Sequence, residues 1–185
     1  MSFTNTDLYG GAISVDLPST FADTSQIREV PDHQEVYLDK DGYSSIVVEI
    51  LEYQEKGSDE EALQYHFADL IDEEDSTNVL AQGRAVMAKL DEKPVYTLEF
   101  IQTPPPNTNP SRKVPEFVYI HLMLLRLKEQ GTDMMISVNI PHYSGEYEKP
   151  KDGGEGVTQL MKDSEVIKER ILETFDIKEW GLFEG

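Results

Sequence analysis

At 185 residues the chain has the length of one domain, and 38% hydrophobic residues are enough to build a core. Thirty-six Asp and Glu against sixteen Lys and Arg give a formal net charge of -20. That balance disfavours naked nucleic acid and anionic membranes as partners and favours a basic protein surface, although charge of this kind also serves plain solubility. There is no Cys, which excludes disulfides, thiolate catalysis and metal sites built on sulfur.

Residues 1–7 read as a loose tail. Leu8-Tyr9-Gly10-Gly11-Ala12-Ile13 opens the fold; the Gly pair permits a tight turn. Ala12 to Leu17 alternates as a short strand that Pro18 ends. Asp23 is placed to cap one helical turn over 23–27. Glu35 to Leu38 and Ser45 to Tyr53 read as strands joined by Asp39-Lys40-Asp41-Gly42, whose Asp-Gly suits a hairpin. Ser58-Asp59-Glu60-Glu61 is a capping box. It starts a helix expected to run to about Ile71, with Leu63, His66, Phe67 and Leu70 on one face. Asp72 to Asn78 is polar and reads as a loop.

Arg84 to Leu90 and Val95 to Ile101 read as strands around Asp91-Glu92-Lys93-Pro94. Five prolines between Thr103 and Glu116 rule out regular structure there, so an exposed loop is expected. Phe117 to Leu127 is apolar on both alternating faces, the pattern of a central strand covered on both sides. Asp133 to Ile140 follows, with Met134, Ile136, Val138 and Ile140 on one side and Pro141 as the stop. His142 to Gly156 reads as a second loop. A long amphipathic helix is expected from about Val157 to Phe175, with Val157, Leu160, Met161, Ile167, Ile171, Leu172 and Phe175 on its apolar face. Antiparallel sheet with helices on its faces is the natural assembly, an α+β domain over 1–185. The N-terminal segment shows no secretory signal, and no apolar run approaches the length of a membrane span. A soluble intracellular protein is expected.

Chemistry is sparse. There is no Gly-x-Ser-x-Gly elbow and no phosphate-binding Gly-x-x-x-x-Gly-Lys loop. Gly153-Gly154-Glu155-Gly156 precedes a helix but lacks a strand immediately before it, so a flexible loop is the better reading. The four histidines, His33, His66, His121 and His142, show no ligand spacing, and no metal or cofactor is expected. His66 and His121 read as satisfied core histidines. Paired carboxylates could serve acid–base hydrolysis, with Glu49 and Glu52 the obvious pair. Positions three apart in a regular strand point to opposite faces, however, so an exposed rim is more natural than a sealed pocket. Charge at such an edge would also discourage strand-to-strand aggregation. The stretch Arg28 to Glu52 thus reads as a rigid β platform that presents negative charge.

Several of these runs carry a resemblance. Leu8 to Ile13, Arg28-Glu29-Val30-Pro31-Asp32 with Gln34-Glu35-Val36, Ser45 to Glu52, Tyr65 to Leu70, and Thr132-Asp133 leading to Asn139-Ile140-Pro141 are similar, in order, to the Ran guanine nucleotide release factor family, also called the Mog family. The match is dense over 8–70 and looser over 118–141. The Pro-rich 103–116 segment finds no counterpart. The resemblance implies a twisted antiparallel sheet of about six strands sandwiched between helices, similar to PsbP proteins. It implies binding to the small GTPase Ran, release of its guanine nucleotide without catalysis of its own, support of nuclear protein import, and residence in nucleus and cytoplasm, as a monomer. It also implies that Glu49 and Glu52 contact Ran, with Asp32 and Glu35 in the neighbouring acidic run. The competing expectation is an acidic interaction module for another basic protein, without nucleotide release.

Overall fold

The structure, a computed structural model, describes residues 1–150 and 156–184. Its elements are β1 (Phe3–Leu8), β2 (Ile13–Pro18), β3 (Phe21–Asp23), β4 (Gln34–Asp39), β5 (Ser45–Glu52), α1 (Asp59–Leu70), β6 (Ser76–Met87), β7 (Lys93–Thr103), β8 (Phe117–Leu127), β9 (Thr132–His142), α2 (Gln159–Thr174) and β10 (Asp176–Ile177). Seven strands form one antiparallel sheet in the order β3-β4-β5-β9-β8-β7-β6, and β1-β2-β10 form a second, small sheet.

The central strands are β8 and β9, as the two-sided apolar pattern of Phe117 to Leu127 requires. One face of the main sheet meets α1: Ala62, Leu63 and Phe67 pack on Tyr96, Leu98, Phe100, Leu122, Leu124 and Met135. The other face meets α2 together with the small sheet: Ile13, Val15, Leu17, Ile167, Ile171 and Phe175 pack on Ile46, Val48, Met123, Ile136 and Val138. The fold is therefore α+β, an antiparallel sheet between helices, with seven strands rather than about six and with a small sheet sharing one helical layer.

Local signals explain where elements begin. Ser58 Oγ accepts from Glu61 N–H at 3.1 Å and starts α1. Thr158 does the same for Met161 N–H and starts α2, which leaves Val157 outside the helix and exposed. Asp23 caps a short 3-10 turn through Ser25 N–H at 2.9 Å. Gly10 and Gly11 adopt φ of 66° and 95° in the turn between β1 and β2, a backbone region that favours glycine.

Four expectations are corrected. Residues 1–7 are not a loose tail, because Phe3–Leu8 pairs along its whole length with β2. Its run of four polar residues, Thr4 to Asp7, hides that role. β6 starts at Ser76, in the segment read as loop, because it is an edge strand whose side chains are almost all exposed and carry no burial pattern. β9 runs past Pro141 to His142; β5 pairs only as far as Asn139, so the proline sits where one side of the strand is free. Leu70 lies on the exposed end of α1 rather than in the core. Gly153, Gly154 and Glu155 lie outside the described residues.

His66 and His142 are buried and hydrogen-bonded. His66 Nε2 lies 2.7 Å from Asp133 Oδ2, and His142 bonds Ile140 O and Thr158 Oγ1. Asp133 is fully buried and also accepts from Arg126 Nε at 2.8 Å and Gln54 N–H at 3.1 Å. Arg126 bonds Asp59 and the Gln54 carbonyl too, which ties the exit of β5 to the start of α1. Removing one partner of such a network strands a buried charge. Asp133→Ala is expected to lower unfolding free energy by about 3–5 kcal/mol, read from the urea midpoint. A loss below about 1 kcal/mol, the scale of an exposed ion pair, would show that the network is not structural.

Candidate partner-binding surface

β4 and β5 pair from Leu38↔Ser45 to Gln34↔Glu49. β5 continues alone on that side, with Ile50 N–H donating to His33 O at 2.9 Å. Asp32 lies in the turn just before β4, and Glu52 at the end of β5. Asp32, Glu35, Glu49 and Glu52 are thus gathered at one end of the sheet, where β4 starts and β5 ends.

They share this rim but not one face. The β5–β9 register runs unbroken from Ser45↔Asn139 to Glu52↔Thr132. Glu49 therefore points with Leu51 and Met135 toward the α1 side, and Glu52 points with Val48 and Ile50 to the other. Two carboxylates that diverge across a sheet cannot act as acid and base on one bond, so Glu49 and Glu52 do not form a hydrolytic pair. The larger clefts lie elsewhere. One of about 690 Å³ is lined by Glu99, Phe117, Tyr119 and Tyr147, and one of about 920 Å³ by Lys89, Lys93, Arg126 and Trp180.

Availability differs among the four acids. Among the described residues, no Lys, Arg or His nitrogen lies within 4.0 Å of any of them; the ion pairs use other carboxylates. Asp32 and Glu52 are exposed and Glu49 is half-buried. Glu35 is different, since its Oε1 accepts from Tyr9 N–H at 2.7 Å. Burial raises its pKa above the ordinary value, the Tyr9 N–H works against that, and the Asp23 charge adds to it.

Tyr9 is the residue that sequence reasoning passed over. At φ 50° it places its hydroxyl between His33 O at 2.9 Å and Val48 O at 3.0 Å, which share its one proton. One side chain thus straps the start of β4 to β5 beside Glu49. Burial, then the charges of Glu35 and Glu49, hold its phenol protonated far above the usual range. The only sequence signal was the Leu-Tyr-Gly-Gly turn, which fixes the backbone but says nothing about the reach of the ring. Among the described residues the group able to hold a cation is Glu99, His121 and Glu165, on the α2 side. No helix among the described residues is long and apolar enough to cross a membrane.

Two outcomes are expected here. Tyr9→Phe removes the hydroxyl that bridges His33 O and Val48 O, while His33 O keeps its bond from Ile50 N–H, and should cost about 0.5–1.5 kcal/mol in thermal or urea unfolding; an unchanged midpoint would show that the strap carries nothing. Glu35 has a folded pKa above its unfolded one, so its stabilising contribution is full below the ordinary glutamate range and is lost as pH rises through the folded value. Glu35→Gln keeps an acceptor for Tyr9. It should be at least as stable as the parent at neutral pH, with that advantage shrinking under acid. An advantage that grows under acid would contradict the assignment.

Comparison with known proteins places this architecture. The family described as "Ran-interacting Mog1 protein" matches residues 6–141. The Ran guanine nucleotide release factor of Bos taurus is 34% identical over 137 residues, covering 72% of this chain and 74% of that one. The nuclear import protein of Saccharomyces cerevisiae is 33% identical, over 73% and 65% of the two chains. The probable Ran guanine nucleotide release factor of Dictyostelium discoideum is 26% identical over 98% and 97%. In three dimensions, the crystal structure of the Saccharomyces cerevisiae Ran-binding protein Mog1p matches with a TM-score of 0.75 at 26% identity, over 99% of each chain. Cyanobacterial PsbP from Synechocystis shares the fold alone, with a TM-score of 0.58 at 11% identity over 95% and 92%. The chain, with its hairpin platform, its opening Tyr-Gly-Gly turn and this sheet order, belongs to the Ran-interacting Mog1 protein family.

Proposed function

We propose that this protein binds the small GTPase Ran through the β4–β5 rim and promotes release of its guanine nucleotide, in support of nuclear protein import. The observation that carries the reading is a set of carboxylates left without ion partners among the described residues, in a family described as Ran-interacting. Asp32, Glu49 and Glu52 are the contact residues. Glu35, one oxygen of which is held by Tyr9, adds charge behind them.

The chain makes and breaks no bond in this role, needs no cofactor, and acts as a monomer in nucleus and cytoplasm. Its effect is linkage. If it binds nucleotide-free Ran more tightly than loaded Ran, it must weaken nucleotide binding by the same factor. A tenfold loosening needs about 1.4 kcal/mol of differential binding. Carboxylates at a rim suit this task, because they attract Lys and Arg across solvent, speed encounter and fix orientation.

Ran loaded with a fluorescent guanine nucleotide gives the test. Adding the protein should accelerate loss of the label; binding without acceleration would instead favour an acidic module for basic partners. Glu49→Lys and Glu52→Lys should each weaken Ran binding by about tenfold, with an unchanged circular dichroism spectrum and melting point. Parental affinity in both variants would overturn the assignment of the rim.

A further inference from the structure

Away from the rim, the α2 side of the sheet holds a polar cluster that the Ran-binding role does not use. Glu99 on β7 and His121 on β8 are direct cross-strand partners. Glu165 reaches the same face from α2, and its carboxylate comes within 3.8 Å of His121 Nε2. One ring nitrogen of His121 and one carboxylate oxygen from each Glu all lie within 4.8 Å of one another. Spacing along the chain could not reveal this set, because its members come from three elements.

The tautomer of His121 follows from its neighbour. Ser164 Oγ donates to Met161 O at 2.6 Å. Its proton is thereby committed, so it can only accept from His121 Nε2 at 3.0 Å. The ring proton sits on Nε2, and Nδ1 carries a bare lone pair. His121 is 1% exposed, and Nδ1 is a buried polar atom with no hydrogen-bond partner among the described residues. Such orphans are rare because each forfeits its solvation without compensation. The nearby cation is Lys168, which makes no ion pair within 4.0 Å among the described residues.

We propose that Glu99, His121 and Glu165 form a binding site for one divalent transition-metal cation, with zinc the best match. Two carboxylates balance its charge, and the free lone pair of His121 Nδ1, on the same ring as the Nε2 that faces Glu165, supplies the nitrogen ligand that magnesium and calcium do not seek, with the half-exposed Glu165 side chain turning to meet the cation there. The surroundings have the character of an outer ligand shell. Ser164 orients the imidazole, and the Tyr119 hydroxyl donates to Glu99. Glu99 and Tyr119 also line the 690 Å³ cleft, which offers a way in from solvent. A bound cation would tie β7, β8 and α2 together and stabilise the folded state by mass action.

The test is calorimetric titration of zinc chloride into the chelator-treated full chain, with excess magnesium present to occupy diffuse surface acids. A single saturable site is expected, with a melting point raised by zinc and not by magnesium or calcium. Glu165→Gln, at a half-exposed position that folding tolerates, and Glu99→Gln should each weaken zinc binding by about tenfold or more. Glu173→Gln, on the exposed side of α2, should leave it unchanged. Absence of saturable zinc binding overturns the proposal. So does parental affinity in both Glu99→Gln and Glu165→Gln, which would assign the zinc to scattered surface carboxylates.

Discussion

A sheet covered on both faces leaves almost no room for uncompensated charge, and this constraint organises the molecule. β8 and β9 lie between α1 on one side and α2 with the small sheet on the other. Apolar side chains fill both layers, so a chain with a net charge of -20 must carry its carboxylates to rims, turns and outer helix faces. Among the described residues the fully buried carboxylate is Asp133, and it is held by Arg126, His66 and a backbone N–H. Burial of charge is permitted only where a cation and hydrogen bonds answer it.

The rim of β4 and β5 follows the same logic from the other direction. Strands that must be stiff to pack also hold their end residues in fixed positions. Tyr9 stiffens them further by spanning two carbonyls and by occupying Glu35. Asp32, Glu49 and Glu52 then project from paired strands, with no Lys, Arg or His nitrogen within 4.0 Å among the described residues. A preorganised, uncompensated charge array spends little of its interaction energy on ordering itself. That is the physical case for a recognition surface over a merely solvated one.

Sequence periodicity reached the parts of the fold where burial writes a pattern. The two-sided strand Phe117 to Leu127, the Ser58 capping box and the β4–β5 hairpin all stand where their residues placed them, although the hairpin turns without positive φ at Asp41 or Gly42. It failed where burial is absent or shared. β1 is polar from Thr4 to Asp7, and β6 shows almost every side chain to water, so neither carries a hydrophobic period. Proline misled at 141 because its cost depends on whether a neighbouring strand needs the missing N–H, which sequence does not state. The acidic rim was legible as composition and as family resemblance, and the divergence of Glu49 and Glu52 followed from strand geometry. Tyr9 was not legible, since its reach depends on how the turn folds back over β5. Nor was the meeting of Glu99, His121 and Glu165, which depends on the register of β7 against β8 and on the azimuth of α2.

The central claim is that free carboxylates on a rigid rim draw in a cationic face of Ran. The most direct measurement is the association rate constant with Ran as a function of ionic strength, by stopped flow. A steered encounter predicts a rate that falls steeply with salt, and a shallower slope once Glu49 and Glu52 are both changed to Gln, while the dissociation rate depends little on salt. A parental association rate indifferent to salt, or a slope untouched by removing both charges, would contradict the account.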